Sequence, residues 1–197
     1  MMTIAVFDFD GTLTTRDSFL EFVRFSCGTW KLCKGIFRHG LSLILMKLGM
    51  ADNGKTKERL FSYYFKGLDY SRFCELGHRF AFHFESSANQ EMLSKLIRHQ
   101  QEGDKVYVVS ASIEEWVTPW CRRHGVDHVI GTQVETDGDG LLTGRFKTAN
   151  CYGEEKVCRF KAMEPQRSSY HLVAYGDSRG DREMLQYADE AHLSGRS

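Results

Sequence analysis

The sequence has no net charge: 26 Lys and Arg balance 26 Asp and Glu. A protein that grips nucleic acid usually carries a basic excess, so bulk charge points away from nucleic acid. Its six cysteines, at 27, 33, 74, 121, 151 and 158, form no C-x-x-C pair and no His-rich zinc spacing. That argues against a structural zinc site and leaves reduced thiols as the expectation. No apolar run is long enough to span a bilayer. The longest, LSLILMKLGM, is about half of the roughly 20 residues a spanning helix needs. No signal-peptide pattern precedes the first strand, so a cytoplasmic protein is expected. There is no internal repeat, low-complexity tract or linker. What remains is an ordinary globular composition, 42% hydrophobic and 26% charged over 197 residues. That length suits one domain, or one domain carrying an insertion.

Several strand patterns are present. TIAVFDF (residues 3–9) and KVYVVS (105–110) are short apolar runs rich in β-branched and aromatic residues. DHVIGT and HLVAYG follow the same rule, as expected of buried strands. Between residues 17 and 101 the apolar residues recur at helical spacing. Gly28, Gly35, Gly40, Asn53-Gly54 and Gly67 break that stretch, which reads as four or five successive helices. SIEEWVTPWCRRHG reads as a helix opened by a Ser112/Glu115 capping box, with Pro119 kinking or splitting it. VETDGDGLLTGRF reads as a hairpin turning at Asp137–Gly140. EEKVCRFKAM and GDREMLQYA read as short helices. Strand and helix alternate toward both ends, so the expected class is α/β, a parallel sheet with crossover helices. A large helical insertion follows the first strand.

The chemistry gathers where strands end. Asp8 and Asp10 follow the first strand, Ser110 follows KVYVVS, and Asp177 and Asp181 follow HLVAYG. In open α/β sheets ligands bind beyond the carboxyl ends of the strands. Carboxylates gathered there suit a hard cation such as Mg²⁺ bridging a phosphate. A single aspartate of this kind could cap a helix, and Asp181 could cap the last one. D-x-D-G-T after one strand and G-D-x-x-x-D after another is harder to explain structurally. Lys156 on its own would be ordinary solvated surface, with Lys147 and Lys161 as neighbours that compete for any role.

FDFDGTLT, the Ser110 of VVSAS, the Lys156 of YGEEK, and YGDSRGD together resemble the four motifs of the haloacid-dehalogenase-like hydrolases. The insertion point and the 131–146 hairpin resemble the branch that includes phosphoserine phosphatase. The resemblance implies a Rossmann-like core at 1–14 and 90–197 with a helical cap at 15–89. It implies a Mg²⁺-dependent phosphomonoesterase with a small-molecule substrate. Asp8 would be the nucleophile, forming an aspartyl-phosphate, and Asp10 the acid and base. Lys156 would neutralise charge on the phosphoryl group. Thr12, Ser110, Ala111 and Ser112 would contact phosphate. Asp8, Asp10 (through its carbonyl), Asp177 and Asp181 would hold the metal. Ser112 also reads as a helix cap. Asp17 reads either as a contact to a substrate amine or, more simply, as an N-cap. The sequence departs from phosphoserine phosphatases at Ala111-Ser112, where they carry glycines, and at Gly180, where they carry Asn.

The insertion has a charge of its own. From Phe22 to Lys66 nine Lys and Arg face only Asp52 and Glu58, a net +7. WKLCKGIFRHGLSLILMKLG mixes these cations with Trp, Phe and Leu. That composition suits a surface touching anionic lipid headgroups, and a lipid phosphate is the alternative substrate. The plainer reading, which the composition favours, is a helix packed on its neighbours with basic edges. A phosphotransferase using the same site is a further alternative. No signal for an oligomeric state was found.

Overall fold

A computed structural model describes residues 2–47 and 52–194. The elements run β1 (Met2–Phe7), α1 (Ser18–Cys27), α2 (Thr29–Lys47), α3 (Asn53–Phe65), α4 (Tyr70–His83), α5 (Gln90–Gln101), β2 (Lys105–Ile113) and α6 (Glu114–Arg123). They continue with β3 (His128–Thr132), β4 (Val134–Thr136), β5 (Leu142–Phe146), α7 (Glu154–Met163), β6 (Tyr170–Gly176), α8 (Arg182–Tyr187) and β7 (Glu190–Leu193). Five strands form one parallel sheet in the order β3-β2-β1-β6-β7. This is the expected α/β class.

The run Ile4–Phe9 is buried throughout because β1 is central and covered on both faces. Ala5 and Phe7 pack into one apolar cluster, Ile4 and Val6 into another. Register places Phe7 beside Val108 of β2 and Tyr175 of β6, so three strand ends finish at one edge.

The chain leaves the sheet after β1 and returns beside its own exit. Thr15 N–H donates to the Ser87 carbonyl (2.7 Å) and Asn89 N–H to the Leu13 carbonyl (2.9 Å). Between those points Asp17, Asp52 and Asp69 cap α1, α3 and α4 through backbone N–H groups of Leu20, Lys55 and Arg72. The helices gather around Phe22, which stacks on Trp116 of α6 at 4.4 Å and meets Phe65, Phe73 and Phe80 edge-on or tilted.

Several local expectations are corrected. Gly28 does end α1, but Gly35 and Gly40 lie within α2, and Asn53-Gly54 opens α3 rather than separating helices. The 134–146 hairpin forms, but it leaves the main sheet and bonds to the helical segment: Gly67 N–H donates to the Leu142 carbonyl (2.8 Å). β2 runs past Ser110 to Ile113, so Ser112 lies in a strand and no capping box forms. α6 runs unbroken through Pro119. Pro119 offers no N–H to the Glu115 carbonyl. That carbonyl lies against Gly77 of α4, where any Cβ would overlap it. β7 was not anticipated; it is short, at the sheet edge and largely exposed.

Candidate active site

Beyond the carboxyl ends of β1, β2 and β6 lies a cavity of about 600 Å³. The sheet side contributes Asp8, Asp10, Ser110, Ala111, Asp177 and Asp181. The helical segment covers it with Asp17, Phe19, Ile36, Lys57 and Leu60. A second cavity, of about 580 Å³, lies beside the start of α3 and holds none of the motif carboxylates.

Asp8 follows β1 directly, anchored by its N–H to the Tyr175 carbonyl at 2.9 Å. The backbone then turns at Gly11, whose φ is +88°. Gly11 is needed twice over. Its φ is left-handed, and a Cβ there would overlap the Asp177 carboxylate. This is how β1 and β6 bring their acids together. Oxygen atoms of Asp8, Asp177 and Asp181 lie within 4.8 Å of one another.

Lys156 reaches this group from the first turn of α7. Its ammonium sits 2.5 Å from Asp8 Oδ1 and 2.6 Å from Asp181 Oδ1, fully buried. Lys161 instead lies over the Tyr187 ring and Lys147 is exposed, so only Lys156 of the three joins the site. Burial alone would lower the Lys156 pKa, but Asp8 and Asp181 outweigh it and hold the ammonium protonated. Asp181 is likewise held ionised: Lys156 overcomes its burial, helped by Ser178 N–H and Oγ on Oδ2. Asp8 is pushed up to about 7, because desolvation and the Asp181 charge exceed the pull of Lys156.

Asp10 is held differently. Ser18 N–H donates to its Oδ1 (2.7 Å), and the Ser18 and Ser112 hydroxyls bond to Oδ2. Trp116 Nε1–H donates in turn to Ser18 Oγ (3.1 Å). Burial, then the Asp17 charge, raises Asp10 to about 6 against the Ser112 hydrogen bond. Ser112 therefore faces Asp10, neither capping α6 nor lining the cavity. Thr12 is buried with its hydroxyl 3.4 Å from Ser194 and does not line the cavity. Asp17 both caps α1 and lines the cavity.

Sequence reasoning missed Lys57, Ser18 and Trp116. Lys57 extends from α3, and its Nζ donates to the Ala111 carbonyl at 2.8 Å. Burial lowers its pKa against the pull of Asp10 and Asp17. The excess of cations at 22–66 was a signal, but not one that singles out Lys57.

The sequence pattern of the haloacid dehalogenase-like hydrolases matches residues 5–186. Over 189 residues the chain is 34% identical to Protein CicA of Caulobacter vibrioides, covering 95% of this chain and 83% of that protein. Over 219 residues it is 26% identical to a histidinol-phosphatase of Neisseria meningitidis serogroup C, covering 96% and 89%. Among solved structures, a phospho-aspartyl intermediate analogue of phosphoserine phosphatase shares the fold with a TM-score of 0.64. That match has 19% identity and covers 95% of this chain and 83% of that one. The chain belongs to the haloacid dehalogenase-like hydrolases. Membership makes it an enzyme of the hydrolase kind.

Proposed function

We propose that the enzyme is a Mg²⁺-dependent phosphatase that works through an aspartyl-phosphate on Asp8. The observation that carries this reading is the buried meeting of Asp8, Asp177, Asp181 and Lys156. Asp8 and Asp181 grip the one ammonium, Asp177 brings a third carboxylate within 4.8 Å of theirs, and burial, then the Asp181 charge, raises Asp8. An all-oxygen donor set with unbalanced charge fits Mg²⁺. Asp8 and Asp177 would be its side-chain ligands and Asp10 would contribute its carbonyl. Asp181, with both oxygens already engaged, would act directly or through water. Bound there, Mg²⁺ would offset the charge of the phosphate and of Asp8.

Asp8 is aimed and backed by Lys156, which neutralises charge as the phosphoryl group arrives. Asp10, held by Ser18 and Ser112, would protonate the leaving oxygen and then take a proton from water. Ser110 and Ala111 line the wall that the phosphoryl oxygens would meet. The paired exit and return at Thr15–Ser87 and Leu13–Asn89 support residues 15–89 as a cap over a core of 1–14 and 90–197. Lys57 on that cap supports a small anionic substrate: it lines the cavity and would face negative charge on the leaving group. Six unpaired thiols support a reduced, cytoplasmic setting.

The test is phosphate release from phosphoserine, sugar phosphates, nucleotides and histidinol phosphate, with Mg²⁺ and with chelator. Turnover should need the metal. Asp8→Asn should lower it by roughly 10⁴-fold or more with an unchanged circular dichroism spectrum. Full activity in that variant would sink the assignment.

A further inference from the structure

We propose that the outer face of α2 is a docking surface for an anionic membrane. A helix simply packed on its neighbours would bury its aromatic residues. Here the inner side of α2 does pack: the Tyr64 hydroxyl donates to the Leu32 carbonyl at 3.1 Å and Gly35 is buried against the Tyr64 ring. The outer side does not. Trp30 is 74% exposed and Phe37 is 92% exposed. They stand seven residues apart, two helical turns, on one face. A soluble surface rarely leaves two large aromatics of one face in water without a use for them.

Charge identifies the occupant. Lys31, Lys34 and Arg38 are all exposed around those rings, and Lys34 lies over the Trp30 ring at 5.2 Å. The α2 sequence, TWKLCKGIFRHGLSLILMK, contains no Asp or Glu. A second copy in two-fold contact would set this cationic face against itself, which like charges oppose. An anionic headgroup layer offers what the face lacks. Its negative surface potential attracts the three cations, and its acyl boundary accepts Trp and Phe. Ile36 and Gly40 of the same helix line the catalytic cavity. Docking through α2 would therefore hold the cavity next to the headgroup layer. The surface is independent of how the catalytic groups work.

The chain provides its own probe. Of its three tryptophans, Trp116 and Trp120 are buried at 0% and 1%, so a change of environment on docking reports Trp30. The full chain is mixed with phosphatidylcholine vesicles, with and without about one-third phosphatidylglycerol, and followed by sedimentation and tryptophan fluorescence. The expected result is binding to the anionic vesicles with a blue shift, on the order of tenfold or more tighter than to neutral ones. Trp30→Ser with Phe37→Ser should abolish it. Lys31→Glu, Lys34→Glu and Arg38→Glu together should weaken it by at least that factor. Absence of binding, or binding that ignores both sets of substitutions, overturns the proposal. So does a blue shift that grows with protein concentration without lipid, which would assign the face to a second copy. Turnover of p-nitrophenyl phosphate in solution by the Trp30→Ser, Phe37→Ser variant should match the parent. If the parent shows no turnover at all, the catalytic reading fails while the vesicle result still decides the docking.

Discussion

Two regions of this molecule place lysine in opposite circumstances. At the strand ends Lys156 is 2% exposed and gripped by two aspartates. On α2 Lys31 and Lys34 are exposed and no carboxylate of their own helix faces them. The first arrangement is dictated from within. Removing an ammonium from water is tolerable only when partners replace the water, and Asp8 and Asp181 are those partners. The second arrangement is free of that constraint, because water already solvates the charge. The contrast teaches where to look for function in each region. In the buried cluster the partners are in the chain and the chemistry is internal. On α2 whatever answers the charge comes from outside.

The contrast can be broken most sharply by removing the lysines one at a time. Lys156→Ala leaves Asp8 and Asp181 buried without their counter-ion and should cost about 3–5 kcal/mol in chemical denaturation. Lys34→Ala should stay within about 0.5 kcal/mol. Equal costs would erase the distinction. A second pair sharpens it through packing. Gly77→Ala drives a methyl into the Glu115 carbonyl and should destabilise the fold by about 1–3 kcal/mol. Gly40→Ala, with open space around it, should be neutral or stabilising by up to about 1 kcal/mol, the helix-propensity gain.

The last effect depends on pH and concerns Glu115, a half-buried acid with an incomplete set of partners. Tyr70 donates to one oxygen at 3.1 Å, and the other is buried with no hydrogen-bond partner among the described residues. Burial raises its pKa from 4.5 to about 7. The folded state therefore prefers it protonated. Its contribution is full below about pH 4.5 and is lost as pH rises through about 7. Glu115→Gln removes that loss. It should raise stability on the order of 1 kcal/mol at pH 8 and leave it unchanged at pH 4, read from melting temperatures at both. A gain equal at both pH values would refute the assignment.

Much of the site was legible because its residues punctuate strands. Asp8, Asp10 and Asp177 each follow a continuous apolar run, and such a run ends at a sheet edge wherever it is buried. Lys57 was not legible. It is one of nine cations between residues 22 and 66, and helical periodicity alone does not say which of them turns toward the strand ends. Ser18 and Trp116 were missed for a related reason. They act on Asp10 from elements 98 residues apart in sequence, and each looks locally like an ordinary helix residue. Ser112 was misread because a serine three residues before a glutamate satisfies a local capping rule. The strand's register shift between Val109 and Ile113 overrode that rule.

By itself the sequence determined the parallel α/β sheet, the helical insertion after the first strand and the family motifs. These depend on hydrophobic runs and on residues adjacent in the chain, and such terms are local. The tertiary structure alone decided which lysine joins the aspartates. It also selected the hydroxyls that hold Asp10 and left Trp30 and Phe37 in water. Those outcomes depend on which helix face meets which strand end. That is settled by packing between distant segments, where burial makes an unpartnered charge costly and exposure makes it nearly free.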